Sequence, residues 1–247
     1  MRQLLTPRWV AAHVVVVGLA ILFVNLGFWQ LRRLEERRLE NTVGESRFVE
    51  EPQDLTALLE AADDDYESLE FRRATFTGQF HASDEVLIRS QVYQAVAGFH
   101  VITPLVGEEG RAVLVDRGWV PLDADEVPVV AASPPEGEVT VTGWVRPTQT
   151  RGSLGPADPD QGRLVTMNRV DIERIQEQMP YELEPVYLSA LEEADGLPIP
   201  APDPTFDEEG PHLGYAIQWF SFALIGVIGY IFLMRRTARR SLGRKTP

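Results

Sequence analysis

Hydrophobic positions along the chain follow two regimes. Trp9 to Phe28 (WVAAHVVVVGLAILFVNLGF) and Tyr215 to Met234 (YAIQWFSFALIGVIGYIFLM) are each twenty residues without a formal charge. At a rise of about 1.5 Å per residue each covers roughly 30 Å, the thickness of a bilayer's hydrocarbon core. Between them the runs are short, β-branched and aromatic: FRRATFTGQF (71–80), EVLIRS (85–90), FHVITPLV (99–106), AVLVDRGWV (112–120) and VTVTGWV (139–145). Gly, Pro or acidic turns separate them, which predicts strands. RLVTMNRV (163–170) and EPVYLSAL (184–191) predict two more, with VDIERIQEQM (170–179) as a helix between them and a further short helix from Pro52.

These elements predict a membrane protein of α+β class. Two antiparallel transmembrane helices flank a β-rich extracytoplasmic domain, a small antiparallel barrel or sandwich with two helices. The expected order is a cytoplasmic N-terminus (1–8), a first span (9–31) whose helix continues as a charged stretch to about Gly44, and the outer domain (32–195). A linker with five prolines (196–211), a second span (212–234) and a basic cytoplasmic tail (235–247) complete it.

Charge sharpens the partition. The net charge is −14, yet every Asp and Glu lies between the two apolar segments, where residues 32–213 carry −22. Such a domain disfavours nucleic acid as a partner. The cluster RRTARR directly after the second segment argues for a cytoplasmic C-terminus, and two spans then place both termini inside. Arg32, Arg33, Arg37 and Arg38 oppose that orientation, since they fall on the outer side of the first span. The first segment exceeds a signal peptide's apolar region and lacks a small-x-small cleavage site, so it reads as an uncleaved anchor. Twenty-two arginines against one lysine is the balance of a GC-rich genome, and the expected location is a bacterial plasma membrane.

The chemistry on offer is limited. With no cysteine there are no disulfides, thiolate metal sites or Fe–S clusters, and Lys245, the one lysine, lies in the tail. No G-x-S-x-G, H-E-x-x-H or phosphate loop occurs, so no enzyme is expected. Polar residues in a span are costly and therefore informative. His212, Tyr215, Trp219 and Phe222 recur at i, i+3, i+7, i+10 on one helical face, and antiparallel spans bring Trp29 and Gln30 level with them. An imidazole there suits haem iron, with aromatic rings to pack on a porphyrin. On composition alone the cluster also fits an interfacial aromatic belt. His13 lies about 24 Å away along the axis and reads as an interface residue; His81 and His100 read as structural. Arg117, in DRGW, either pairs with an acid of its own domain or meets an anionic group such as a propionate.

LGFWQLRRLEER (26–37), FTGQF (76–80), GFHVITPLV (98–106), VLVDRGWVP (113–121), VTVTGWVRP (139–147) and HLGYAIQWF (212–220) occur in the order and spacing of the Surfeit-locus-one family, which the chain resembles over nearly its whole length. The resemblance implies an assembly factor for haem–copper cytochrome c oxidase that binds haem a and assists its insertion into the haem-carrying subunit. Haem a synthase is a further implied partner. It maps the iron ligand onto His212 and the companion residues onto Trp219, Trp29 and Gln30. The approach Glu208-Glu209-Gly210-Pro211 departs from the family pattern, in which an asparagine often precedes the histidine. The alternative is a cofactor-free accessory or stabilising subunit of the oxidase or of a respiratory supercomplex.

Overall fold

The computed structural model describes residues 6–108, 110–151, 155–191 and 196–243, so Arg2, Arg244 and Lys245 of the flanking charge lie outside the described residues. The chain divides into two compact units. One comprises residues up to Thr42 together with those from Phe206 onward, and the other is Val43–Thr205.

The first unit is built on α1 (Pro7–Phe48) and α4 (His212–Gly243). Both are long and apolar enough to cross a membrane by length and composition. Their apolar surface is largely bare: Val14, Val15, Ile225 and Phe232 are each more than half exposed. The charged stretch after Gln30 continues α1 without interruption, as the sequence predicts, and ends at Phe48 rather than near Gly44. Arg33–Glu36 and Arg37–Glu40 pair at i, i+3 (2.9 and 3.2 Å) along this extension.

The second unit is a β-barrel. Its strands are β1 (Gln53–Asp54), β2 (Arg73–Phe80), β3 (Val86–Tyr93), β4 (Val96–Val106), β5 (Arg111–Pro121), β6 (Glu138–Pro147), β7 (Thr166–Met167) and β8 (Glu182–Ala190), with α2 (Leu55–Ala62) and α3 (Ile172–Gln176). The sheet runs β1-β2-β6-β8-β5-β4-β3-β7, and an added β2–β4 pairing closes five strands into a ring. The expected all-antiparallel barrel is corrected at one seam, where β5 and β8 are parallel. Parity requires it, because an odd number of strands cannot close with every neighbour antiparallel. The stretch from Pro121 to Glu182, with β6 running back along the barrel, supplies the long connection a parallel pair needs. Closure also needs Gly78, whose Cβ would stand 2.4 Å from the Val106 carbonyl oxygen across the β2–β4 contact.

The run AVLV is continuous because β5 is buried on both faces. Val113 and Val115 join Leu55, Leu58 and Phe76 in one cluster, while Ala112 and Leu114 join Ile88, Met167 and Ile175 in another. Each helix starts on an aspartate cap: Asp54 accepts from the Ala57 N–H at 3.1 Å and Asp171 from the Arg174 N–H at 3.2 Å. The linker is not simply extended. Ile199 pairs with Trp119 of β5 through two backbone bonds, of 2.6 and 2.8 Å.

Glu184 on β8 is buried beside Arg111, whose Nη2 donates to it at 2.7 Å. Burial holds its carboxyl above the ordinary value, with Arg111 pulling the other way. A raised folded value gives stability that is full below the unfolded pKa and is lost as pH rises through the folded one. Glu184→Gln is therefore expected to lose less melting temperature than the wild type as the pH is raised above the ordinary carboxylate range. Parallel melting curves would sink this assignment.

Candidate functional site

The two helices of the first unit meet along a seam of period three and four. On α1 it runs through Phe23, Gly27, Gln30 and Leu34; on α4 through His212, Ala216, Trp219 and Ala223. Small residues set the closeness of approach: Gly27 and Ala216 are buried, and a Cβ on Gly27 would meet the Phe220 ring at 2.6 Å. Helical sequences that pair antiparallel at this spacing bring the end of the first apolar segment level with the start of the second. That places a buried amide beside an imidazole.

Gln30, 9% exposed, presents its Oε1 2.9 Å from His212 Nδ1. With an oxygen as the contact atom, Nδ1 carries the proton and donates, so Nε2 holds the lone pair. A ring nitrogen fixed by a hydrogen bond on one side is the arrangement that orients a histidine for ligation through the other. His212 is half-buried, so the ring is neither sealed in the seam nor fully bare. It opens α4, directly after Gly210 and Pro211, and the segment before it is clasped to α1. Arg38 donates from Nε and Nη2 to the two carboxylate oxygens of Glu209 at 2.7 and 2.9 Å, and Asn41 donates to the Glu208 carbonyl at 3.2 Å. The acidic approach that departs from the family pattern thus serves to tie the entry of α4 to α1. The same pairing engages Arg38, one of the four arginines that complicate the orientation.

The remaining residues separate. Trp219 lies on the seam, stacked on Phe23 with ring centroids 5.5 Å apart and edge-on to Phe222 at 6.0 Å. Tyr215 turns outward and is 48% exposed. Trp29 is also outward, 45% exposed, with the Arg33 guanidinium over its ring at 6.0 Å. The seam therefore gathers Gln30, His212 and Trp219, while Trp29 and Tyr215 flank it on bare surface. A half-buried imidazole, bonded through one nitrogen and set among aromatic rings, is the kind of donor that haem iron takes. His13, at the other end, meets the Tyr230 hydroxyl through Nδ1 at 2.6 Å beside Trp9. The sequence held no cue to that contact beyond the level of the two residues on antiparallel helices.

Arg117 lies in the barrel, 9% exposed. Of its two readings the structure places the first: Nη1 donates to Glu85 at 3.1 Å and to Thr103 at 3.4 Å, and Nη2 donates to the Ala132 carbonyl. Glu85 was not singled out in the sequence; an acid opening the apolar run VLI was the signal for a buried partner. Among the described residues no cluster of three or more His, Asp or Glu could hold a metal ion.

Comparison with known proteins converges on one group. The profile of the SURF1 family matches residues 17–224. A SURF1-like protein of Mycobacterium bovis is 31% identical over 254 residues, covering 99% of this chain and 91% of that protein. SURF1-like proteins of Caenorhabditis elegans and Rickettsia felis are 27% and 24% identical, over 93% and 90% of this chain and 76% and 96% of theirs.

Proposed function

From the premise that the chain belongs to the SURF1 family, we propose that it is an assembly factor for haem–copper cytochrome c oxidase, taking haem a as cargo at the seam of its two helices. The observation that carries this is the His212–Gln30 contact, in which the amide oxygen accepts from Nδ1–H and the lone pair on Nε2 is left to meet the iron. Haem a is redox-active once placed in the oxidase, and nothing in its carriage asks this chain for catalysis. His212 holds the iron, Gln30 fixes the ring's tautomer and plane, and Trp219 backs the ring from the seam. Trp29 and Tyr215 offer aromatic faces at the rim.

In this reading both apolar helices cross the bacterial plasma membrane, both termini are cytoplasmic, and the barrel lies outside. A helix end where α4 re-enters the membrane suits a porphyrin with an apolar tail. The haem-carrying oxidase subunit receives the cargo and haem a synthase supplies it. The −22 charge of the outer region steers a partner with a basic face.

Protein purified from cells that make haem a is expected to show that pigment's absorption, and His212→Ala is expected to lose it with the fold retained. Gln30→Leu is expected to weaken and broaden the signal without abolishing it. A wild-type preparation without haem, or a His212→Ala preparation with an unaltered spectrum, would defeat the cargo reading and leave a cofactor-free accessory subunit.

A further inference from the structure

The barrel contains a cavity of about 240 Å³ that the haem reading does not use. It lies where the sheet is twice interrupted. The β3–β4 ladder shifts register between Ile88 and Gln91, and the β4–β5 ladder between His100 and Ile102. Bulges re-aim side chains, and Ile88, Gln91, His100 and Asp116 from these stretches all line the hollow. Strands β6 and β8 add Trp144, Arg146, Tyr187 and Ser189.

The polar groups of this lining are unevenly matched. Asp116 is already occupied: Oδ2 meets His100 Nδ1 at 2.8 Å, and Oδ1 accepts from the Gly118 N–H at 3.1 Å. Gln149 accepts from the Val170 N–H at 3.2 Å and donates to the Tyr187 hydroxyl at 2.8 Å, so the phenol's own proton remains to be given. Burial pushes that phenol up to about 12, which keeps the proton on it at neutral pH. In the same wall the Trp144 indole N–H and the Arg146 Nε–H are buried without a hydrogen-bond partner among the described residues. Arg146 Nε stands 3.7 Å from a Glu70 oxygen, beyond hydrogen-bond reach, and the guanidinium lies 4.8 Å over the Trp144 ring. Interiors keep few donors in this condition, because leaving them unmet is costly. Donors are in excess, and the cation at the rim stacks on Trp144 and meets Glu70 as an ion pair without a hydrogen bond, which leaves its N–H groups to be given.

We propose that this cavity binds a small organic carboxylate. Arg146 receives the carboxylate, whose planar pair of oxygens matches a guanidinium fork. The Tyr187 hydroxyl donates to it. Ile88, Val170 and Pro202 enclose the carbon skeleton. The volume falls below the roughly 300–1,000 Å³ of sites for drug-sized ligands, so the occupant is a small acid of a few carbons.

Calorimetric titration of the full chain in detergent with acetate, succinate and, separately, inorganic phosphate tests this. Succinate or acetate is expected to bind saturably at one site per chain. Arg146→Met is expected to weaken it roughly tenfold, the loss of one charge-assisted contact. Tyr187→Phe, which keeps the buried ring, is expected to weaken it by a smaller factor and serves if Arg146→Met does not fold. Absence of saturable heat with both carboxylates, equal affinity in both variants, or tighter binding of phosphate than of either carboxylate would overturn the assignment.

Discussion

Arg117→Ala is expected to destabilise the barrel by about 3–5 kcal/mol, a large share of the roughly 5–15 kcal/mol that holds a domain folded. The size follows from what the substitution leaves behind. Glu85 is 1% exposed and accepts from the Thr103 hydroxyl at 3.0 Å, the Val129 N–H at 2.8 Å and Arg117 Nη1 at 3.1 Å. Burial already holds its carboxyl above the ordinary value, and the Arg117 guanidinium offsets part of that. Without the cation the carboxylate stays buried with two neutral donors, and its pKa rises further. A raised folded pKa means that stability is full below the unfolded value and lost as pH climbs through the folded one. The variant should therefore suffer more at pH 8 than at pH 5, and more steeply than the wild type. It also loses the bond to the Ala132 carbonyl, so the 129–132 segment is held only by the Val129 N–H on Glu85. Glu85→Gln in the same background should recover part of the loss by removing the stranded charge. Denaturant unfolding of the full chain in detergent reads all three proteins. An Arg117→Ala midpoint within error of the wild type at pH 8 would mean that the pair is not buried as described.

Much of this was legible in the chain, and the gaps have physical causes. Strand cores were readable because alternation and β-branching are local, so six of the strands fall within a few residues of their expected spans. Pairing is non-local, and the parallel β5–β8 seam carries no mark in either strand. RLVTMNRV failed as a strand because side chains take its backbone donors: Gln178 accepts from the Leu164 N–H, Asp158 from that of Asn168 and Gln149 from that of Val170. Two residues, Thr166–Met167, remain to pair. On the helix pair, the chemistry-bearing side chains His212, Tyr215, Trp219 and Phe222 share one helical face. The true seam is set by size, and Ala216 and Ala223 turn it a few tens of degrees away from Tyr215. The level of Gln30 against His212 was legible because it needs only antiparallel helices and a rise per residue.

Gly118→Val is expected to strip the linker from β5 and cost about 3 kcal/mol or more. The glycine has φ +118°, and a Cβ there would stand 2.1 Å from the Ile199 carbonyl oxygen and 2.6 Å from its carbon, both backbone atoms that no rotamer change can move. The clash falls on the two bonds that join Trp119 to Ile199, each worth about 1 kcal/mol, and the backbone strain adds about 1–3 kcal/mol. The motif DRGW is explained by this geometry, since its residues do separate work on one turn of β5. Asp116 holds His100 and accepts from the Gly118 N–H, Arg117 meets Glu85, Gly118 admits the linker, and Trp119 pairs with it. Side chains of consecutive residues alternate between faces of a strand, so one short string serves the cavity on one side and the buried ion pair on the other. Limited proteolysis should cut the Gly118→Val linker several-fold faster than that of the wild type, and amide exchange at Trp119 and Ile199 should speed up with it. Gly118→Ala should show the same direction, since the clash begins at Cβ. Unchanged protection of those two amides in both variants would show that the linker does not rest on β5 in solution.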